Sequence, residues 1–285
     1  MVERADQTDY ASASSLVRVM ESKLFWARSV VGRVRRFATR PPTMRPYLLG
    51  ELLIVACLLR VYDGIRSHAE VRRPAAMSHG EALLHAERVL RIDIEHSVNA
   101  WTASQHWVSL AASYWYQFAH ITVTMLVLVW CWWFRPESYR KARNSLVIIN
   151  VVALAVFLLV PVAPPRLLPG TGFIDTVAQA GFGTSHGGPV TADQYGAMPS
   201  LHIGWALWTA LVCYHLVKSR PLARCWLVYP FITVAAIVAT GNHYLLDAVA
   251  GAVLAGSAWW LTHRARSPRA TPPLELRPET AGVGG

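Results

Sequence analysis

The chain has 285 residues, of which 53% are hydrophobic and only 15% are charged, and it contains 12 tryptophans. The apolar residues occur in long blocks, a composition that indicates an integral membrane protein rather than a soluble one. The net charge of +10 does not indicate nucleic-acid binding, because the basic residues cluster beside the apolar blocks and set membrane orientation there. The four cysteines are scattered without a CxxC pair, so neither a disulfide framework nor a zinc site is predicted.

The N-terminal region is a basic tail followed by an imperfect membrane span. Residues 1–46 are polar and lack an apolar core with a small-residue cleavage site, so they are not a secretory signal peptide. The first span is predicted over about 47–66, close to the ~20 residues that cross a bilayer. Glu51, Arg60 and Asp63 interrupt it. Either these charges extend to the interface, or Arg60 faces a polar cavity.

The rest of the chain alternates apolar blocks with polar connections. Residues 67–104 carry apolar residues at helical spacing with charges between them, which predicts an amphipathic helix on the membrane surface. Five more spans are predicted, over about 106–134, 144–163, 201–217, 222–240 and 243–262. The fold class is therefore all-α: a polytopic bundle of six transmembrane helices over 47–263, with a disordered cytoplasmic tail over 264–285. In the second span, His120 and Gln117 are predicted to hydrogen-bond to neighbouring helices.

Basic residues predict the orientation of these spans. The N-terminal tail, the predicted loops 135–143 and 218–224 and the segment 263–269 are rich in arginine or lysine. With six spans all four lie on one side, which is the cytoplasm by the positive-inside rule. Both termini are then cytoplasmic and the protein lies in the plasma membrane. The strong preference for arginine over lysine is associated with GC-rich genomes and so with a bacterial source.

The opposite side gathers residues suited to binding an anion. Ser200 is a preferred helix N-cap directly before the apolar run that begins at Leu201. His202 then lies in the first turn, beside unpaired backbone N–H groups and the positive end of the helix dipole, where phosphate commonly binds. Arg166 lies in the loop that leads to Ser200, and its guanidinium suits bidentate phosphate contacts. These residues predict a phosphate site.

The start of the sixth span supplies a candidate nucleophile. His243 and Asp247 are four residues apart, so a helix would place them on one face. The carboxylate can hold one imidazole nitrogen and leave the other to attack phosphorus. His243 would form a phosphohistidine, and His202 would protonate the departing alcohol. Two other classes fit the same residues: a metal-dependent hydrolase with three zinc ligands, and a lipid transporter or scaffold that only binds phosphate.

Three motifs carry a resemblance to a known family. PVAPPR (161–166), PSLH (199–202) and HYLLD (243–247) resemble the signature motifs of the type-2 phosphatidic-acid phosphatase superfamily. The closer likeness is to its inositol-phosphotransferase branch, which includes fungal inositol phosphorylceramide synthase. The resemblance extends over 160–251 by motif and over 45–262 by the layout of the spans.

The resemblance implies a lipid phosphatase or phosphotransferase that needs no metal and no other cofactor. It implies that His243 is the nucleophile, that Asp247 is its partner and that His202 is the acid. Arg166 and Ser200 would bind the substrate phosphate. The substrate would be a lipid phosphate such as phosphatidic acid, a polyprenyl phosphate or an inositol phospholipid. Hydrolysis and transfer both stay open, and the oligomeric state is not predicted.

Three positions depart from the phosphatase pattern. Leu159 stands where the pattern has a lysine, Leu201 where it has a glycine and Ile237 where it has an arginine. The phosphotransferase branch is similar in lacking the two cations, which favours that branch. Arg60 or Arg88 is a candidate to complete the phosphate site.

Overall fold

The computed structural model describes residues 45–67, 69–182 and 194–264. Nearly all of the two predicted tails, 1–46 and 264–285, lies outside these residues. Every regular element in the described part is helical, and the β contact there is one isolated parallel bridge between Val162 and Gly196. The predicted all-α class is confirmed for this part of the chain.

Most helices follow one another with short connections, and the long connections are 160–175 and 180–200, on either side of the short helix Thr176–Gln179. In chain order they are α1 (Leu48–Ser67), α2 (Ala69–Leu90), α3 (Glu95–Ser104), α4 (His106–Tyr114), α5 (His120–Phe134), α6 (Pro136–Leu159), α7 (Thr176–Gln179), α8 (Leu201–Leu216), α9 (Arg220–Cys225), α10 (Tyr229–Ala239) and α11 (Leu245–Arg264). A π-helical turn over Trp115–Ala119 joins α4 to α5, and a 3-10 turn over Trp226–Val228 joins α9 to α10.

Four helical runs are long and apolar enough to cross a membrane: His106–Phe134, Pro136–Leu159, Arg220–Ala239 and Leu245–Arg264. They correspond to the predicted second, third, fifth and sixth spans, and they make the chain a membrane protein. The other two predicted spans, the first and the fourth, are not among these four runs. α1 has 20 residues but carries charges along its length, whereas α8 is apolar but has only 16 residues.

Three local predictions were wrong. The segment 135–143 is not a loop, because α6 begins at Pro136, and proline at the first helical position leaves no N–H without a partner. The segment 67–104 is not one helix, because Arg91 adopts a left-handed backbone (φ 57°) that ends α2. His243 does not open a helix, because α11 begins two residues later.

The central helix is α8, which packs against α5, α6, α10 and α11. Its Trp208 is fully buried, and the indole Nε1 donates to the carbonyl oxygen of Ala142 (2.9 Å) and to Ser145 Oγ (3.0 Å). Such packing relies on close van der Waals contact, because lipid tails are as apolar as the side chains. Gly251 of α11 allows the closest approach, since a Cβ there would overlap the carbonyl oxygen of Ser200.

The loops at one end of the bundle are joined by backbone hydrogen bonds. Arg166 N donates to the carbonyl oxygen of Gly241 (3.1 Å), and Ser200 N donates to that of Asp247 (3.1 Å). Val162 N donates to the carbonyl oxygen of Tyr195 (2.7 Å). The segment after α6, the segment before α8 and the start of α11 therefore meet, and they carry the residues of the three motifs.

Candidate active site

The ring of His243 is fixed by acceptors on one side. Its Nδ1 lies 3.0 Å from the carbonyl oxygen of Ala197 and 3.3 Å from Asp247 Oδ2. Because a carbonyl and a carboxylate can only accept, Nδ1 carries the hydrogen and the lone pair of the neutral ring is on Nε2. His243 is only 4% exposed, so the protein and not water sets this tautomer.

The lone pair of His243 faces the second histidine. His243 Nε2 lies 3.3 Å from His202 Nδ1. Since Nε2 of the neutral His243 ring accepts, His202 Nδ1 is the donor of this bond. His202 Nε2 is buried and has no hydrogen-bond partner among the described residues. The proton that His202 carries therefore lies beside the atom of His243 that would attack a phosphorus.

Asp247 is fully buried, and its two oxygens differ. Oδ2 accepts from Tyr244 N (3.0 Å) and from the ring of His243, whereas Oδ1 has no partner in the described part of the chain. The pairing arises because Asp247 lies in the first turn of α11, where the helix dipole favours a carboxylate. His243 lies in the loop before that turn, so the contact is between a loop and a helix start rather than along one helix face.

Ser200 begins α8 as its N-cap, as predicted. Its backbone is extended (φ −65°, ψ 111°), and Oγ accepts from Ile203 N at 3.5 Å. The cap uses Oγ as an acceptor and does not use the hydroxyl hydrogen, which is buried with the rest of Ser200. His202 therefore does lie in the first turn of a helix, beside N–H groups that the helix itself leaves unpaired.

Arg166 is held in place by two side chains. Its Nε donates to Asn242 Oδ1 (2.6 Å), and its Nη1 lies 3.2 Å from Asp175 Oδ2. Asn242 directly precedes His243, so these contacts tie the guanidinium to the loop of the candidate nucleophile. The other oxygen of Asp175 accepts from Ala178 N (2.9 Å) and caps the short helix α7. The orientation of Arg166 is thus set by neighbours that the sequence motifs do not include.

The π-helical turn brings two further residues to the site. The ring of Tyr116 stacks on His202, with centroids 4.3 Å apart and 17° between the planes. The ring centroid of His120 lies 4.0 Å from that of His202. His120 was predicted to bond to a neighbouring helix, which is wrong, because its Nδ1 pairs with the carbonyl oxygen of Tyr116 one turn earlier (3.0 Å). Isolated π-turns are frequent at functional sites, but the sequence gives no sign of one here; Gln117, on the same turn, is exposed.

A family model described as the PAP2 superfamily matches residues 81–261, which is more than half of the chain. The chain belongs to the PAP2 superfamily. The predicted resemblance is therefore confirmed at the level of the superfamily, a group of membrane phosphatase-type proteins, and the match includes all five candidate site residues. No curated protein and no solved structure matched the chain.

Two positions where this PAP2-superfamily protein lacks a cation of the phosphatase pattern lie in different surroundings. Ile237 is fully buried in an apolar cluster with Ile203, Val238 and Ala248, and Leu159 is 76% exposed at the end of α6. Arg60 and Arg88, the candidates to replace the missing cations, are both exposed on their helices. Arg166 is the arginine that contacts the loop of His243.

The clustered histidines also raise the question of a metal. Among the residues that the structure describes, no group of three His, Cys, Asp or Glu side chains is arranged to hold a metal ion. The nitrogen of His243 nearest to Asp247 points at a carbonyl oxygen and carries a hydrogen, so it has no lone pair for a metal in this arrangement.

Proposed function

We propose that this protein cleaves or transfers a phosphoester of a lipid through a phosphohistidine on His243, without a metal or other cofactor. One observation carries the proposal: the acceptors at Nδ1, namely Ala197 O and Asp247 Oδ2, leave the lone pair on Nε2. The chain belongs to a superfamily of phosphatase-type membrane proteins. We therefore propose that this lone pair attacks the phosphorus atom of a phosphoester.

The reaction needs one proton to move in each half. The lone pair of His243 Nε2 forms a bond to phosphorus as the bond from phosphorus to the leaving alcohol breaks, and protonated His202 gives its proton to the leaving oxygen. Asp247 stabilises the positive charge that develops on the ring of His243. In the second half, neutral His202 takes a proton from water or from an acceptor alcohol, whose oxygen attacks phosphorus and releases His243.

The phosphate oxygens would be bound by a fixed cation and by the start of α8. Arg166 is already oriented by Asn242 and Asp175, so little side-chain entropy is lost when it binds phosphate. The hydroxyl of Ser200 and the N–H groups of the first turn of α8 would donate to other oxygens. The apolar walls of the helices would receive the lipid chains.

We also propose the six-span topology, with α1 and α8 as the additional spans. The connections and helix ends on the side of the bundle away from His243 are rich in basic residues, which include Arg45, Arg135, Arg143, Lys218, Arg220 and Arg264. Four other arginines, however, lie toward the other end, on or just after α2: Arg72, Arg73, Arg88 and Arg91. The positive-inside rule places the end away from His243 in the cytoplasm, so the site would open at the outer face of a bacterial plasma membrane, with both termini cytoplasmic.

The buried, apolar setting of Ile237 supports the transferase branch over simple hydrolysis. An arginine at this fully buried position would lie unpaired in an apolar cluster, at a cost of several kcal/mol. A site with a single arginine would bind the phosphate less tightly than the phosphatase pattern does. We propose an inositol-phosphotransferase activity on this basis, with an alcohol as the acceptor.

The test offers lipid substrates to the purified protein in detergent and measures the release of phosphate from phosphatidic acid or a polyprenyl phosphate, or of inositol phosphate from an inositol phospholipid. Transfer is measured with the inositol lipid and an added alcohol. Activity should survive EDTA, and His243→Ala should lose it by a factor on the order of 10³ or more. His215→Ala is the matched control, because His215 is an exposed histidine at the far end of α8.

Other outcomes assign the alternatives. Activity that EDTA abolishes would assign a metal-dependent hydrolase. Lipid binding without turnover, equal in the wild type and in His243→Ala, would assign a phospholipid-binding transporter or scaffold. A wild-type protein that accumulates an acid-labile phosphoryl group, absent from His243→Ala, would establish the phosphohistidine directly.

A further inference from the structure

Two glutamates outside the family motifs are fully buried behind the catalytic aspartate. Glu87 lies near the end of α2 and Glu95 is the first residue of α3, and neither is exposed to solvent. Glu87 continues the buried stripe of α2 that includes Gly80 and Leu84. Glu87 therefore lies on the inner face of α2 and not on the face predicted to contact the membrane surface. Burying a carboxyl group is costly unless it is hydrogen-bonded.

Both carboxyl groups bind the start of α11. Glu87 Oε1 accepts from Leu246 N (2.8 Å), and Glu95 Oε1 accepts from Leu245 N (2.9 Å). The preceding N–H, that of Tyr244, goes to Asp247. Three consecutive backbone N–H groups are thus each satisfied by a different carboxyl group. An N-cap normally supplies one acceptor from its own helix, whereas here α2 and α3 supply two.

The second oxygen of each carboxyl group is also buried. Neither Glu87 Oε2 nor Glu95 Oε2 has an N–H or O–H donor from another residue of the described chain. Because the first oxygen of each glutamate binds one of two consecutive N–H groups, those of Leu245 and Leu246, the two carboxyl groups are close neighbours. Two ionised carboxylates cannot share a buried contact, so a single proton between them satisfies both oxygens.

Burial raises the pKa of Glu87 to about 8, and the carboxylates of Glu95 and Asp247 act in the same direction. The N–H of Leu246 acts in the opposite direction. The groups that face Glu87 are Glu95 from α3 and Asp247 from α11, with the phenol of Tyr244 beside them. Burial and these carboxylates raise the pKa of Tyr244 as well, so the phenol stays protonated and bound to the carbonyl oxygen of Ala163.

We propose that Glu87 and Glu95 form a proton-sharing carboxyl pair that fixes the first turn of α11 and so positions Asp247 against His243. They are positioning residues, because they reach the reaction only through the backbone of Leu245 and Leu246. The activity part of this inference rests on the proposed function. The stability part of the inference does not rest on the proposed function, because it depends only on the buried proton.

The stability part is tested by thermal unfolding of the detergent-solubilised protein between pH 5 and 9. The folded state holds a proton that the unfolded state releases near the ordinary glutamate value of 4.5. Stability is therefore complete below that value, falls as pH rises, and reaches a plateau above about 8. Wild-type Tm should fall across this window.

Isosteric variants isolate the shared proton. Glu87→Gln and Glu95→Gln should each flatten the fall in Tm, because an amide accepts from the helix and donates to the remaining carboxylate without titrating. Glu81→Gln is the matched control, since Glu81 is exposed on the same helix and its loss should leave the fall unchanged. A fall that persists in both Gln variants would overturn the shared proton.

The activity part compares two changes at one position. Glu87→Gln should keep kcat within about threefold of the wild type, whereas Glu87→Leu should lower kcat by roughly 10–100-fold with KM nearly unchanged, because small displacements of reacting groups are costly. Full activity in Glu87→Leu would overturn positioning. If Glu87→Leu does not fold, Glu87→Gln decides alone. A kcat within threefold of the wild type supports the positioning role, and a larger loss overturns it. An inactive wild type would refute the proposed function and leave the Tm test in force.

Discussion

The two ends of the bundle both bury charged groups, but the hydrogen-bond partners of these groups differ. Near the start of α6, Glu51 accepts from the phenol of Tyr139 with Oε2 (2.9 Å) and from Arg143 Nη1 with Oε1 (3.1 Å). At the other end, His202 Nε2 and Asp247 Oδ1 have no partner among the described residues. Arg143 and the end of α6 are roughly 24 Å apart along the helix axis.

This contrast separates a structural charge cluster from a reactive one. Both oxygens of Glu51 are bonded to side chains of α6, so this carboxylate holds α1 against α6. Buried polar atoms without partners cost about 1–3 kcal/mol each, and natural proteins retain few of them. Arg143 Nε also lacks a partner among the described residues, so the contrast lies in the acceptors: Glu51 has both oxygens bonded, whereas His202 Nε2 and Asp247 Oδ1 are left for a substrate or a proton.

The largest expected effect comes from Asp247→Asn. The amide keeps the size of the side chain but removes the negative charge that holds the hydrogen on Nδ1 of His243 and stabilises the charged ring. We expect kcat to fall on the order of 10⁴-fold, with a Tm close to that of the wild type. Phosphohydrolysis and transfer assays on the purified variant measure the loss. A decrease of less than tenfold would show that the carbonyl oxygen of Ala197 alone fixes the ring.

The opposite end should respond in stability rather than in rate. Glu51→Leu removes one partner of a buried ion pair and leaves Arg143 without its carboxylate, so the free energy of unfolding should fall by about 3 kcal/mol. At temperatures where the variant is folded, its kcat should equal that of the wild type. Denaturation in detergent and the phosphate assay, run on the same sample, make the comparison. A variant that is stable but slow would show that the two ends are coupled.

The smallest expected effect is that of Tyr116→Leu. An aromatic pair contributes about 0.5–1.5 kcal/mol, so loss of the ring stacked on His202 should lower kcat by at most about tenfold. The phenylalanine variant keeps the ring and should retain nearly full activity, since the stacking and not the hydroxyl contacts His202. If both variants lose activity equally, the hydroxyl has a role of its own.

The sequence predicted the helical class and most span positions because both depend on local composition. Runs such as His106–Phe134 and Leu245–Arg264 are apolar over the full thickness of a bilayer, whatever their neighbours. Boundaries were less predictable, because the basic residues after Pro136 suit a loop as well as the first turns of a helix. The break at Arg91 depends on how α3 docks, and local sequence does not encode that.

The candidate site was predictable only in part, because some of its residues are far in sequence from the motifs. Short motifs supplied all five candidate site residues, and the structure places them in neighbouring loops and helix starts: Arg166, Ser200, His202, His243 and Asp247. Tyr116 and His120 were missed because a π-turn changes which side chains of a helix face inward. Glu87 was treated as one of the charges of a surface helix, although its position in the buried stripe with Gly80 and Leu84 was a usable signal.

By itself the sequence determined an all-helical membrane protein and the chemical types at its site, because hydrophobic runs and short motifs are local properties. The tertiary structure alone decided how those groups are paired. The bond between His243 and His202 joins residues 41 positions apart, and that between Leu246 and Glu87 joins residues 159 apart. Such contacts depend on how α2, α8 and α11 pack, and packing fixes which nitrogen carries a hydrogen and which carboxyl groups share a proton.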